Sequence, residues 1–157
     1  MSDQPISIRR ATVADAPIIV QHRRAMFEEM RVGTPADLDA MDVQFAPWVA
    51  QALASGVYLG WFVTTEQGVI MAGAGMCIED YPATPRDQTG RRGYVMNVYS
   101  DPLYRRQGLA RRLMLMILDW CRANGIQTVA LQASNQGRPL YESLGFKPTN
   151  EMRLKLD

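Results

Sequence analysis

The chain is poor in the residues that usually announce a reactive centre: among its 157 residues there are two cysteines and one histidine, and 17 basic residues against 16 acidic leave a net charge of +1. Cys77 and Cys121 sit among apolar residues without C-x-x-C spacing. That pattern argues against a disulfide framework or a metal site and predicts two buried thiols. Ser-His-Asp hydrolysis or a His-rich zinc site would have to depend on His22 alone. His22 adjoins Arg23 and Arg24 on a helix-like segment and is expected to be a solvated surface residue. Near-neutral charge supplies no global field for nucleic acid or an anionic membrane, so anion binding must be local. No apolar run approaches the roughly 18 residues of a membrane span, and the start MSDQPISIRR has no apolar leader core. A cytoplasmic protein with no membrane partner is expected.

What is present is an ordinary globular composition, 47% hydrophobic, at the length of one domain, so residues 1–157 are read as a single unit. ISIRRA (6–11) reads as a strand, and Thr12 with Asp15 as a helix N-cap. Helical spacing then covers 13–30 and 37–54, divided by Gly33-Thr34-Pro35. VYLGWFVTT (57–65) and VIMAGAGMCIE (69–79), joined by a short Gly-containing turn, predict an antiparallel hairpin, and GYVMNVYS (93–100) a further strand. The stripe Leu109, Leu113, Met116, Ile117 and Trp120 predicts a helix over 109–123, stopped at Asn124-Gly125. A strand (128–134), a short helix around Tyr141 and a final strand from Phe146 complete the order β-α-α-β-β-β-α-β-α-β. Meander and crossover together imply an α+β fold on a mixed sheet.

The most informative stretch is SDPLYRRQGLARRLM (100–114), where strand passes directly into helix. The first amides of a helix have no intrahelical acceptors, and the helix dipole favours an anion there by about 0.3 to 1 kcal/mol. Gly108 bares the backbone, Ala110 is nearly as small, and Arg105, Arg106, Arg111 and Arg112 surround it. Neither G-x-x-x-x-G-K-[ST] nor G-x-G-x-x-G occurs, so the phosphate ligand is not one held by those two fingerprints.

Arg105-Arg106-Gln107-Gly108-Leu109-Ala110 matches Q/R-x-x-G-x-G/A, and LYESLGF (140–146) follows at a distance. In both features, and in element order over nearly the whole chain, the sequence resembles the GNAT superfamily of acyl-CoA-dependent N-acetyltransferases. The resemblance implies a twisted, mostly antiparallel sheet flanked by helices, with the fourth and fifth strands splayed. It implies acetyl-CoA as cofactor, its pyrophosphate cradled by Gln107, Gly108, Leu109, Ala110 and Arg111 with Arg105 and Arg106 at the loop's start. Main-chain groups of Val98 and Ser100 would meet the pantetheine arm, and either Ser134 or Asn135 would contact CoA.

Acetyl transfer needs a neutral amine, and deprotonating a lysine-like amine of pKa near 10.4 at pH 7 costs about 4 to 5 kcal/mol. Direct attack on the thioester in a ternary complex requires no protein nucleophile. The resemblance implies Tyr141 as general acid to the departing thiolate. The family's early-strand glutamate is replaced by Tyr94, which leaves the base open among Glu79, Asp80, Glu28 and Glu29, with Glu79 the working choice. Phe27, Glu28, Met30, Trp48 and Tyr81 are candidates for the acceptor pocket. A primary amine of a small molecule is the expected acceptor. A protein N-terminus or lysine, or CoA binding without turnover, stands as the alternative. A nucleic-acid contact through RRQGLARR is disfavoured by net charge and the lack of a stacking platform. Oligomeric state is open, a homodimer included.

Overall fold

The computed structural model describes residues 4–157; residues 1–3, part of the start MSDQPISIRR, lie outside the described part. Five strands form one sheet in the order β1 (Ile6–Arg10), β2 (Tyr58–Thr65), β3 (Ile70–Asp80), β4 (Arg91–Ser100) and β5 (Val129–Leu131). β1 to β4 are antiparallel neighbours, and β5 lies parallel to β4. The helices are α1 (Ala16–Met30), α2 (Pro35–Ser55), α3 (Leu109–Ala123) and α4 (Arg138–Ser143).

Local chemistry explains the helix boundaries. Thr12 caps a 3₁₀ turn ahead of α1, where the Asp15 carboxylate takes the Thr12 amide at 2.7 Å and the Arg9 guanidinium at 2.8 and 2.9 Å. These hydrogen bonds, led by Arg9, hold the Asp15 carboxyl down at about 2. Thr34 and Asp37 form a reciprocal capping box at the start of α2, with Pro35 at its first position, where a missing N–H is not needed. Arg31 adopts left-handed backbone after α1, and Gly56 does so after α2.

Each face of the sheet carries its own core. On one side Leu109, Leu113, Met114, Ile117 and Cys121 of α3 pack with Met76 and Val95 of the sheet. The stripe is therefore centred on Leu113 and Ile117 as predicted, but Met114 and Cys121 lie inside while Met116 is 38% exposed. On the other side Ala16 and Ile19 of α1 and Phe45, Val49 and Ala52 of α2 cover Tyr58, Phe62 and Cys77. Both cysteines are buried and free. Among the described residues no helix is long and apolar enough to cross a membrane.

Two expectations need correction. The final strand does not form: residues after Phe146 have no regular structure, and Met152, Leu154 and Leu156 are 94%, 81% and 79% exposed. Their period-two pattern finds no face to bury against, and Pro148 removes a ladder donor at the start. His22 is not a solvated surface residue. Its ring is mostly buried, 5.9 Å from the Phe62 ring and 4.9 Å from that of Tyr99, and burial lowers its pKa to about 4.

Candidate acetyl-transfer site

β4 and β5 run together for only three residue pairs, Gly93 with Val129 through Val95 with Leu131. β4 continues to Ser100, whereas β5, expected to span 128–134, stops at Leu131. Past Val95 the two strands have parted, so the β5-facing edge of β4 from Met96 to Ser100 is left without a strand neighbour. An extended ligand can hydrogen-bond to such an edge as an added strand would.

β4 also breaks its ladder with β3 at this point. Met96 pairs with Gly75 and Tyr99 with Gly73, so Asn97 and Val98 together face Ala74 alone, the geometry of a bulge. Asn97 carries the left-handed backbone that the bulge requires, at φ 58°. Its side chain is buried and satisfied at both ends: Arg23 Nη1 donates to Oδ1 at 2.8 Å, and Nδ2 donates to the Tyr58 hydroxyl at 3.1 Å. Gly75 makes room for that hydroxyl, since a Cβ there would come within 1.8 Å of it.

The end of β4 leads through a 3₁₀ turn at Pro102–Tyr104 into α3. Gly108 is the N-cap residue, at φ 72°, and a Cβ built on it meets nothing within 4 Å. The space in front of the first α3 amides is therefore open, and those amides lack intrahelical acceptors. Gln107, Arg106 and Arg111 are exposed around this end, Leu109 is buried in the core beneath it, and Ala110 is half-buried. Two of the arginines are already engaged. Arg105 binds the Glu29 carboxylate and donates to the Ser100 carbonyl at 3.0 Å, and Arg111 Nη1 donates to Ser143 Oγ at 3.0 Å. They tie the loop to α1 and α3 to α4.

α4 brings Tyr141 into the core that also holds Leu109, Leu113 and Val95. Its ring is buried edge-on against Phe146, 6.0 Å between centroids, and burial pushes the phenol above its ordinary pKa of 10. Ser134 Oγ accepts the Gly137 amide at 3.0 Å and so shapes the turn into α4, while Asn135 is exposed beside it. The open β4 edge and the bare first turn of α3 both offer backbone groups that no strand or helix neighbour uses.

The acid–base candidates distribute differently. Glu79 accepts from Arg92 Nε at 2.9 Å, directly across from it in the β3–β4 register. Four residues separate Arg92 from Met96, roughly 13 Å at about 3.3 Å per residue, so Glu79 is too far for direct proton transfer at the bulge. Glu79 is thus set apart from the bulge along β4 and engaged by Arg92. Asp80 is exposed at the same strand end, Glu28 pairs with Arg24 at 2.9 Å, and Glu29 pairs with Arg105. Of the acceptor-pocket candidates, Phe27 packs under the Arg23 guanidinium, Tyr81 under that of Arg92, and Met30 is 38% exposed at the end of α1. Trp48 stacks on Phe45, 5.7 Å between centroids, and is 42% exposed.

Arg23, Tyr58 and Asn97 were not anticipated. The available signal was Asn97 itself, a lone polar residue within the apolar run YVMNVY and one of the few non-glycine types at ease in left-handed backbone.

The sequence pattern of the acetyltransferase (GNAT) family matches residues 21–146. A curated relative, the glucosamine 6-phosphate N-acetyltransferase of Trypanosoma brucei brucei, is 30% identical over 105 residues, covering 66% of this chain and 67% of that protein. Among solved structures, a GCN5-related N-acetyltransferase from Ralstonia eutropha JMP134 superimposes with a TM-score of 0.91 at 33% identity, covering 97% of this chain and 99% of that one. A predicted acetyltransferase from Clostridium acetobutylicum, solved with acetyl-CoA, gives 0.87 at 27% identity, covering 98% and 96%.

Proposed function

The chain belongs to the GNAT family of acetyltransferases, and on that premise we propose that it transfers the acetyl group of acetyl-CoA to a primary amine of a small molecule, by direct attack in a ternary complex. The observation that supports this reading is the parting of β4 from β5, with the bare first turn of α3 following β4 in the chain. Acetyl-CoA supplies the activated acyl thioester. The α3 amides from Leu109 onward and Gly108 hold its pyrophosphate, with Arg106 and Gln107 at the mouth. The free edge of β4, Val98 and Ser100 included, holds the extended arm. Ser134 and Asn135 flank the arm from the α4 turn.

Catalysis on this reading is chiefly positioning. Holding amine and thioester in line removes much of the entropic barrier, worth up to roughly 7 to 11 kcal/mol in well-oriented systems. The Asn97–Val98 bulge interrupts the β3–β4 ladder, and on this reading its backbone groups meet the carbonyl oxygen on which charge develops. Tyr141, kept protonated by burial, gives its proton to the departing sulfur. No side chain is assigned as base on this reading, and the amine loses its proton through desolvation and solvent.

The small-molecule reading draws support from the curated relative, whose name specifies an amino sugar phosphate. The test is calorimetric titration with acetyl-CoA, with ATP and a short oligonucleotide as controls, followed by CoA-thiol release across a panel of amines. Selective acetyl-CoA binding with release driven by a small amine is the expected outcome. Selective binding with no release on any amine or peptide would identify a CoA-binding module, and release only on peptides a protein acetyltransferase.

A further inference from the structure

Arg23 is a cation without a counter-ion. It projects from α1 beneath the β4 bulge, with its guanidinium 5.1 Å from the centre of the Phe27 ring and 4.6 Å from that of Phe45. Its hydrogen bond to Asn97 Oδ1 goes to a neutral amide. Nε is buried and has no partner among the described residues. No described carboxylate forms an ion pair with it.

The acids nearby pair with other arginines, although Asp42 Oδ1 is buried with no partner among the described residues and is not bonded to Arg23. Arg24, the next residue, binds Glu28 at 2.9 Å, Asp39 at 2.8 Å and Asp42 at 2.7 Å, and Arg105 holds Glu29. A guanidinium offers five N–H donors in a planar fork matched to carboxylate and phosphate oxygens. Contacts with ring faces and one neutral amide offset only part of what it costs to take that charge out of water. The cost appears as a pKa lowered chiefly by burial. The same side chain touches the bulge residue where acetyl transfer is placed, so an anion bound to it would lie within a side chain's length of the reacting amine.

We propose that Arg23 is the acceptor's anion receptor: the amine that this enzyme acetylates carries a carboxylate or phosphate group, which the Arg23 guanidinium binds beside the Asn97–Val98 bulge. This rests on the acetyl transfer proposed above. Arg23 is thus a specificity-determining residue, and the acceptor is an anionic amine of the amino-acid or amino-sugar-phosphate kind.

Two experiments on the full chain test it. In the first, steady-state rates are compared for matched amines: glycine against glycinamide, and glucosamine 6-phosphate against glucosamine. The anionic member of at least one pair should show a kcat/KM at least 10-fold higher, the carboxylate and phosphate arms telling which anion is read. Arg23→Gln should erase that preference by raising KM for the anionic amine more than for its neutral partner, and Arg23→Lys should restore part of it. Equal rates within both pairs, or an equal loss on charged and neutral amines in Arg23→Gln, would overturn the proposal in favour of a packing role. The second needs no turnover. The Arg23 Nε–H resonance, identified by its loss in Arg23→Lys, is followed by NMR as inorganic phosphate or glycine is added to the acetyl-CoA-saturated protein. A saturable shift is expected from one of them. A shift in a protein that acetylates nothing would keep the anion site and sink the transferase reading, while no shift from either probe would sink the anion site alone.

Discussion

Arg23 on α1 donates a 2.8 Å hydrogen bond to the side chain of Asn97, the residue whose left-handed backbone makes the bulge in β4. A helix on one face of the sheet thereby holds the strand irregularity at which the chemistry is proposed to occur. Tyr58 on β2 receives the other end of the same amide. The bulge is pinned from two elements distant in sequence.

Replacing Asn97 tests that arrangement. Asn97→Gly keeps the left-handed backbone and removes both side-chain hydrogen bonds, each worth about 0.5 to 3 kcal/mol including the group left unpaired. Asn97→Val adds the strain of a β-branched residue at φ 58°. Urea unfolding should rank wild type above Asn97→Gly above Asn97→Val, and kcat should fall in the same order. A fully active, fully stable Asn97→Val would show the bulge to be irrelevant.

Tyr141→Phe removes a hydroxyl and nothing else from a buried ring. Turnover at saturating substrates should drop about 10- to 1000-fold, within the range typical of a lost general acid. Calorimetric affinity for acetyl-CoA should change less than threefold. Because burial raises this phenol above 10, loss of its proton should appear as a fall in the wild-type kcat profile only in the alkaline range, a limb absent from the variant. Unchanged kcat would remove Tyr141 from the acid role.

Gly108 has two separable functions, adopting φ 72° and leaving the α3 amides bare. Gly108→Asn tolerates the backbone yet fills the space, and Gly108→Val does neither. Both should weaken acetyl-CoA binding by at least tenfold in calorimetry. Only Gly108→Val should lose appreciable stability, about 1 to 2 kcal/mol from left-handed strain. Wild-type affinity in Gly108→Val would contradict the phosphate cradle.

His22 predicts a pH dependence of stability. Native His22 takes up its proton near pH 4, against an ordinary 6.5, so between those values the unfolded chain binds more protons. Stability should fall as pH drops through that window, by up to roughly 3 kcal/mol, and the loss should level off below it. Urea unfolding from pH 7 to 4.5 should show the slope, and His22→Leu should flatten it. The Asp15 carboxylate, held at about 2, contributes a separate loss that begins only below about pH 4.

Much of this architecture was readable because local rules and tertiary packing agree. The spacing of Leu109, Leu113 and Ile117 marked the buried face of α3, Thr12 with Asp15 marked a capped helical start, and Gly108 marked the turn from β4 into α3. Agreement failed where partners lie far along the chain. Met114 and Met116 differ by only two positions, and which one is buried depends on how α3 rolls on β3. His22 was misjudged because its arginine neighbours suggested solvent, whereas Phe62 and Tyr99, from two strands, enclose it. The alternating residues from Met152 to Leu156 carry a strand pattern with no ladder to join.

The sequence by itself determined the helices, the meander and the anion-ready start of α3, since capping, periodicity and glycine φ act over a few residues. Tertiary structure decided where β4 parts from β5, that Asn97 is gripped by Arg23 and Tyr58, that Glu79 pairs with Arg92, and that the half-buried Arg23 pairs with no described carboxylate. Those outcomes depend on contacts between segments dozens of residues apart, whose charges and hydrogen bonds acquire partners only when the sheet and its two helical layers are assembled.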